Sequence, residues 1–113
     1  MAYSTVSDYL TEASALSQDI GMVRYSMTRY LAALNSGLAE AYRLRPDFFR
    51  GLDEPPSYVE ADLLSNINFP KAYAFALLLY IVGHVELTDA QGNEDQRAGV
   101  LTAAFVQKLR GVA

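Results

Sequence analysis

The sequence contains no cysteine and only one histidine. Without cysteine the chain can form no disulfide framework, no thiolate nucleophile and no sulfur-ligated metal site. The N-terminus also lacks the basic start and apolar run of a secretory leader. The longest apolar run, residues 72–82, is shorter than the ~20 residues that cross a bilayer. We therefore expect a protein that is made in the cytoplasm and has no membrane segment.

Groups suited to catalysis are scarce. The single histidine, His84, lies in an apolar helical pattern without the serine and acid partners of a triad, so a packed or partly exposed helix residue is the simpler interpretation. Residues 89–95 resemble a calcium loop only superficially, because the glycine stands fourth and Val100 occupies the place of the closing glutamate. The seven glycines form no phosphate-binding pattern. We predict that the protein is not an enzyme and holds no cofactor or metal.

Charge is distributed unevenly along the chain, whose formal net charge is −4. Residues 1–23 carry −3, residues 24–50 carry +3 through five arginines against two acids, and residues 51–113 carry −4. Nucleic-acid binding depends on many clustered lysine or arginine side chains. Five arginines spread along a helix and its exit argue against nucleic-acid binding as the main role.

Apolar residues recur at helical spacing in four stretches, each preceded by a residue typical of helix N-caps. The candidate caps are Ser4 or Thr5, Ser26, Asn68 and Asn93. We predict helices at about residues 5–19, 27–45, 70–88 and 94–110. The expected fold class is therefore all-α, a single domain over residues 1–113 that resembles a four-helix bundle. It would have a long irregular loop between the second and third helices and a helical hairpin at the C-terminus.

The third predicted helix is apolar on nearly all sides, so we expect it to be the central and most buried one. Gly37 lies in the middle of the second predicted helix, where glycine lowers helix stability by about 1 kcal/mol relative to alanine. Its presence there suggests the close approach of another helix. That helix can belong to the same chain or to a neighbouring copy.

Residues 46–69 form a connection of unusual length for a compact domain. The segment contains three prolines, yet it is too apolar for a free linker, so we expect it to lie against other parts of the protein. A short helical turn over residues 59–66 is one possibility. Four of the eight tyrosines fall in this loop or at the starts of predicted segments. Each of them either contacts a partner or packs in the core with its hydroxyl reaching water, and the sequence leaves both alternatives open. These tyrosines are Tyr3, Tyr25, Tyr58 and Tyr73.

Residues 43–50, here called the elbow, have the sequence RLRPDFFR directly after the second predicted helix. Pro46 disfavours helical geometry at Arg45 and so ends the helix. Two interpretations of the adjacent Phe48 and Phe49 are open. They are anchors that fill a pocket on a partner, or they fold back and cap the core of their own chain.

Residues 6–19, 23–49 and 72–109 contain a series of short motifs. They are a first helix ending in aspartate, an Arg-aromatic start and a central asparagine in the second, an Arg-Pro-Asp exit, and a final hairpin with an acidic turn. The positions are Asp19, Arg24 with Tyr25, Asn35, Arg45-Pro46-Asp47, and Glu94-Asp95 followed by Arg97. In this pattern the chain resembles the head-to-tail adaptor (connector) proteins of tailed bacteriophages, especially the small helical adaptors of short-tailed phages. The middle loop departs from the family, in which a longer insertion is often found.

The resemblance implies a structural virion protein at the head-tail junction. Copies would form a ring, expected to be a dodecamer, beneath the portal protein of the DNA-filled head. The ring would extend the DNA channel and provide a docking surface for a tail or nozzle protein. Genomic DNA would pass through without specific binding, because an acidic channel repels phosphate. The alternative is a small helical binding or regulatory module that acts as a monomer or dimer.

A ring built by rotation needs two different complementary surfaces on each subunit. We expect the basic elbow and the loop that follows it to supply one of them. The candidate interface residues are Arg43, Arg45, Pro46, Asp47, Phe48, Phe49, Arg50 and Tyr58. The acids of the hairpin turn are candidates for the channel lining, and they are Asp89, Glu94 and Asp95.

Overall fold

The computed structural model describes residues 5–17, 26–49, 51–67, 69–88 and 94–110. These contain four α-helices: α1 (Val6–Leu16), α2 (Met27–Leu44), α3 (Ala74–Thr88) and α4 (Glu94–Arg110). Three short 3₁₀ turns lie at Pro46–Phe49, Glu60–Asp62 and Lys71–Tyr73. The described residues form no strand, only an isolated bridge between Thr5 and Asn66. The predicted all-α, helix-bundle-like fold is confirmed.

Helix α1 begins at a capping box. The Thr5 hydroxyl accepts from the Asp8 amide, and the Asp8 carboxylate accepts from the Thr5 amide, each at 3.1 Å. The two amides between them are satisfied from the loop, because Val6 N–H donates to the Ser65 carbonyl at 3.0 Å and Ser7 N–H to the Leu63 carbonyl at 2.9 Å. All the amides that a helix start leaves without an intrahelical partner are therefore hydrogen-bonded.

Helix α2 begins at Ser26, whose hydroxyl accepts from the Arg29 amide at 3.3 Å as the sequence predicts. It ends at Leu44, one residue before the predicted end at residue 45, because Pro46 disfavours helical geometry at Arg45. Its apolar face is buried along the whole length of the helix. The buried residues of this face are Tyr30, Leu31, Ala33, Leu34, Gly37, Leu38 and Ala41.

Helix α3 makes the most extensive contacts among the described elements and packs against α1, α2 and α4. Its α-helical part starts at Ala74, not at residue 70 as the sequence suggests. The preceding residues form a 3₁₀ turn in which Tyr73 N–H donates to the Pro70 carbonyl at 3.0 Å. Pro70 is compatible with a helix start, but the chain enters the helix through this tighter turn. The prediction of an apolar helix buried on nearly all sides is also incomplete, because Phe75 is 56% exposed.

Helices α2 and α3 approach each other closely at Gly37. A β-carbon at this position would lie 2.8 Å from Leu77 Cδ1 and 3.0 Å from Tyr80 Cδ1. Leu77 is fully buried and has little room to move away. Packing within one chain therefore explains the glycine, and no neighbouring copy is needed for it.

Helices α3 and α4 pack along each other as the predicted hairpin, with Phe105 and Leu109 of α4 fully buried. The Glu94–Arg110 bounds of α4 agree with the prediction. The turn at residues 89–93 lies outside the described residues, as do the predicted caps Ser4, Asn68 and Asn93. Among the described helices, none is both long and apolar enough to cross a bilayer.

Candidate assembly surface

The elbow is described for residues 43–49, and Arg45 organises it. The Arg45 guanidinium donates from Nε and Nη2 to the two Asp47 carboxylate oxygens, both at 3.1 Å. Its Nη1 donates to the Leu109 carbonyl at 3.1 Å, which satisfies one free carbonyl in the last turn of α4. Hydrogen bonds to Asp47 and then to Tyr73 raise the pKa of Arg45 further. Arg45 therefore links the end of α2 to the end of α4.

Aromatic rings surround this cation. The Arg45 Cζ atom lies 4.6 Å from the Phe48 ring centroid and 5.9 Å from that of Tyr73. Lys108 Nζ lies 5.9 Å from the same Tyr73 ring. Cations over ring faces are attracted by the ring quadrupole. The predicted contact chemistry of the elbow is thus largely satisfied within the chain.

The two phenylalanines of the elbow have different environments. Phe49 is only 4% exposed and lies 5.8 Å from the Tyr42 ring and 6.1 Å from the Phe69 ring, centroid to centroid. Phe48 is partly buried, with its ring centroid 5.0 Å from that of Tyr73. Phe49 therefore caps the core of its own chain, so the expectation that it anchors a partner is corrected. Adjacent residues point in different directions, and only one of the two can face the core fully.

The outer side of the elbow consists of polar residues and proline. Arg43 is paired with Glu40 one turn earlier on α2, and its side chain is 61% exposed. The hydrogen bond to Glu40 raises the pKa of Arg43. Pro46 and Asp47 are exposed as well. Arg50, the remaining candidate of the elbow, lies outside the described residues.

Tyr58 fastens the middle of the long loop to α2. Asn35 Nδ2 donates to the Tyr58 carbonyl at 2.8 Å, and Tyr58 N–H donates to Asn35 Oδ1 at 2.9 Å. Burial, and then the nearby negative charge of Asp62, raises the pKa of the half-buried Tyr58 phenol. The asparagine in the middle of α2 therefore has a structural role, which is to hold an extended segment by both of its backbone polar groups.

Residues 51–67, here called the acidic loop, contain four acids and no basic residue. Three large apolar side chains of this loop are exposed to solvent: Leu52 at 48%, Val59 at 60% and Leu64 at 86%. Exposed apolar groups that cluster on one surface mark sites of protein contact more often than scattered ones do. The sequence predicts that the loop lies against other parts of the protein, but it does not distinguish these three residues from the other apolar residues of the loop.

A groove lies between α3 and α4 and is here called the hairpin groove. Its volume is about 330 Å³, and its lining residues are Ala72, Phe75, Ala76, Leu79, Ala104 and Lys108. Val100, 69% exposed, precedes Ala104 by one helical turn and so lies on the same face of α4. The lining is apolar apart from Lys108. The sequence gave a weak signal for this groove, since α3 has more apolar residues than one buried face requires.

Most of what would test the acids expected at the channel lies outside the part of the chain that the structure describes. Asp89 lies outside the described residues, and Glu94 and Asp95 are described only as the first two residues of α4. Their assignment to a channel lining stays a prediction.

His84 is packed against a neighbouring aromatic ring of α3. The His84 ring is stacked on Tyr80 with 5.8 Å between centroids, and burial lowers the pKa of the imidazole. Among the described residues, no three acidic or histidine side chains lie close enough together to hold a metal ion. The histidine is accordingly placed as a packed helix residue.

Comparisons with protein-family models, with curated proteins and with solved structures find no match to this chain.

Proposed function

We propose that the protein is a structural head-to-tail adaptor of a tailed bacteriophage. In this role, copies form a ring beneath the portal, extend the DNA channel and present the surface on which a tail or nozzle protein docks. The proposal starts from the sequence resemblance, which covers residues 6–19, 23–49 and 72–109 in order. It places the protein in the virion at the head-tail junction.

The observation that carries the proposal is the acidic loop. Its backbone is held at Tyr58 by Asn35 and at residues 63 and 65 by the start of α1. On this fixed backbone, Val59 and Leu64 are exposed to solvent. Exposed apolar side chains on a fixed backbone, in a loop whose charged residues are all acidic, support a role in assembly with other proteins.

The elbow contributes to this role in a second way. Because Arg45 links α2 to α4, the elbow keeps its shape without a partner. Arg43, Pro46 and Asp47 are exposed on its outer side, where a portal or a neighbouring copy would contact them while Arg43 and Asp47 keep their ion pairs within the chain. Phe48 is partly buried, and the Arg45 guanidinium lies over its ring.

The overall charge suits a channel. A formal net charge of −4 repels DNA phosphates, so DNA can slide past without being held. Asp89, Glu94 and Asp95 are the acids we assign to the channel lining.

The experiment is to mix the protein with portal rings of the cognate phage and to examine the mixture by native mass spectrometry and negative-stain microscopy. A ring of copies on the portal is the expected result. A protein that remains monomeric or dimeric, and separate from the portal, would overturn the proposal.

The second candidate is a small helical binding module that acts as a monomer or dimer. The hairpin groove of about 330 Å³ favours it, because such a groove suits an apolar helix or peptide segment of a partner. Failure to form rings with or without the portal would make this the preferred function.

A further inference from the structure

We propose that the hairpin groove of one copy receives Leu64 from the acidic loop of a second copy. The inference rests on the proposed function and deepens it, because it names the two surfaces that meet between neighbouring subunits. A ring made by rotating one subunit requires two different surfaces that fit each other. The hairpin groove and the acidic loop have this relationship in shape, polarity and charge.

The loop side of the contact is a single exposed apolar side chain on a fixed backbone. Leu64 is 86% exposed, yet the carbonyls on both sides of it accept hydrogen bonds from the start of α1, at 2.9 Å for Leu63 and 3.0 Å for Ser65. Ser65 N–H also donates to the Asp62 carbonyl at 2.9 Å. Binding through Leu64 therefore orders little additional chain, which favours association.

The groove side is a preformed apolar depression with a cation at its edge. Phe75, 56% exposed, stands on one side of it, and Ala76 and Ala104 are small enough to leave space between the helices. A volume of about 330 Å³ accommodates one aliphatic side chain and its neighbours. Leu64 does not fill the groove of its own copy, since it is 86% exposed.

The charges of the two surfaces are complementary. The acidic loop has four acids and no base. Residues 100–110 of α4 contain Lys108 and Arg110, both exposed, and no acid. Glu60 lies in the acidic loop and is exposed, and Lys108 lines the groove. Opposite charges around an apolar anchor select the partner and its orientation, which favours a second copy of this chain as the occupant.

The contact is heterologous, and this allows a decisive test with two variants. Leu64→Glu damages the loop surface and leaves the groove intact, whereas Phe75→Glu damages the groove and leaves the loop intact. Both positions are exposed, so both variants are expected to fold, which circular dichroism checks. Leu16→Glu on α1, at a position 36% exposed, is the matched control outside both surfaces.

We would measure the mass distribution of each protein by native mass spectrometry over a concentration series, alone and with portal rings. Self-association of each damaged variant is expected to be weaker than that of wild type by a factor of about ten or more, because an anchor residue of the interface is lost. An equal mixture of the two, one of them isotopically labelled, is expected to give labelled–unlabelled dimers and nothing larger. Only one intact loop and one intact groove can meet in that mixture. Lys108→Glu provides a second groove variant, which is expected to associate weakly with itself. Mixing it with Glu60→Lys is expected to restore association in part, because the opposite charges are then exchanged between groove and loop.

Two results would overturn the inference while leaving the proposed function in place. One is that the Leu64→Glu or the Phe75→Glu variant assembles as well as the wild-type protein. The other is that the mixture of the two variants stays monomeric under conditions in which the wild-type protein assembles. A wild-type protein that assembles neither alone nor on portal rings would overturn the proposed function together with the inference.

Discussion

The elbow and the acidic loop follow one another in the chain, and both contain proline and large apolar residues, although the elbow is basic and the loop is acidic. In the elbow these groups contact each other: Arg45 binds Asp47 and α4, and Phe49 is buried. In the acidic loop three large apolar side chains face solvent instead, although the backbone is held and the Glu60 carboxylate accepts from the Thr28 hydroxyl at 3.0 Å. The comparison shows that residues suited to contacts indicate a surface for partners only where they are not already in contact with other parts of their own chain.

The largest effect is expected from removing the buried elbow ring. Phe49→Ala should lower the free energy of unfolding by about 3–5 kcal/mol, since a buried aromatic side chain is lost and a cavity remains. Phe75→Ala is the matched control at an exposed position and should change this free energy by less than about 1 kcal/mol. Urea unfolding followed by circular dichroism measures both. Equal losses for the two variants would contradict the distinction between elbow and surface.

A smaller effect is expected where the acidic loop is fastened. Asn35→Ala removes both hydrogen bonds to the Tyr58 backbone and leaves two part-buried polar groups without these partners. The free energy of unfolding should fall by about 2 kcal/mol. Ser36→Ala on the same helix removes only the contact with the Tyr80 hydroxyl, 2.9 Å away, and should have less effect. If the Asn35 variant were as stable as wild type, the loop would be held by other contacts.

A local effect is expected at Arg45. Arg45→Met keeps an unbranched apolar side chain but removes the hydrogen bond to the Leu109 carbonyl and the pair with Asp47. Amide hydrogens in the last turn of α4 should exchange several-fold faster, because local opening there becomes easier. Arg43→Met, which breaks only the exposed pair with Glu40, should leave exchange in α4 unchanged. Unchanged exchange in the Arg45 variant would mean that the elbow does not brace α4.

The smallest effect on stability is expected at the most exposed apolar residue. Leu64→Ser should change the free energy of unfolding by no more than about 0.5 kcal/mol, as is usual for surface positions. The same variant should associate more weakly with itself, as sedimentation velocity over a concentration series would show. A marked loss of stability would place Leu64 among the structural residues instead.

Much of the fold could be predicted because local rules govern it. Thr5 and Ser26 cap their helices as expected, and α4 has the predicted bounds. The start of α3 could not be predicted to the residue, because Pro70 suits both an α-helix and the 3₁₀ turn that precedes Ala74.

The candidate surface was less predictable from sequence. The acidic loop has no periodicity, so nothing in the sequence distinguishes exposed Leu64 from buried Ile67 three residues later. Phe48 and Phe49 are identical in type and adjacent, and tertiary packing alone assigns Phe49 to the core. The hairpin groove depends on the spacing of two helices, which pattern reasoning does not give.

The central claim is that assembly uses the acidic loop, whereas the buried part of the elbow serves the chain itself. Hydroxyl-radical footprinting of the wild-type protein, read by mass spectrometry across a dilution series, tests it directly. We predict that Val59 and Leu64 become protected as concentration and particle mass rise, while the low reactivity of Phe49 does not change. Constant labelling of Val59 and Leu64 in particles larger than the monomer, or labelling of Phe49 that depends on assembly, would contradict the account.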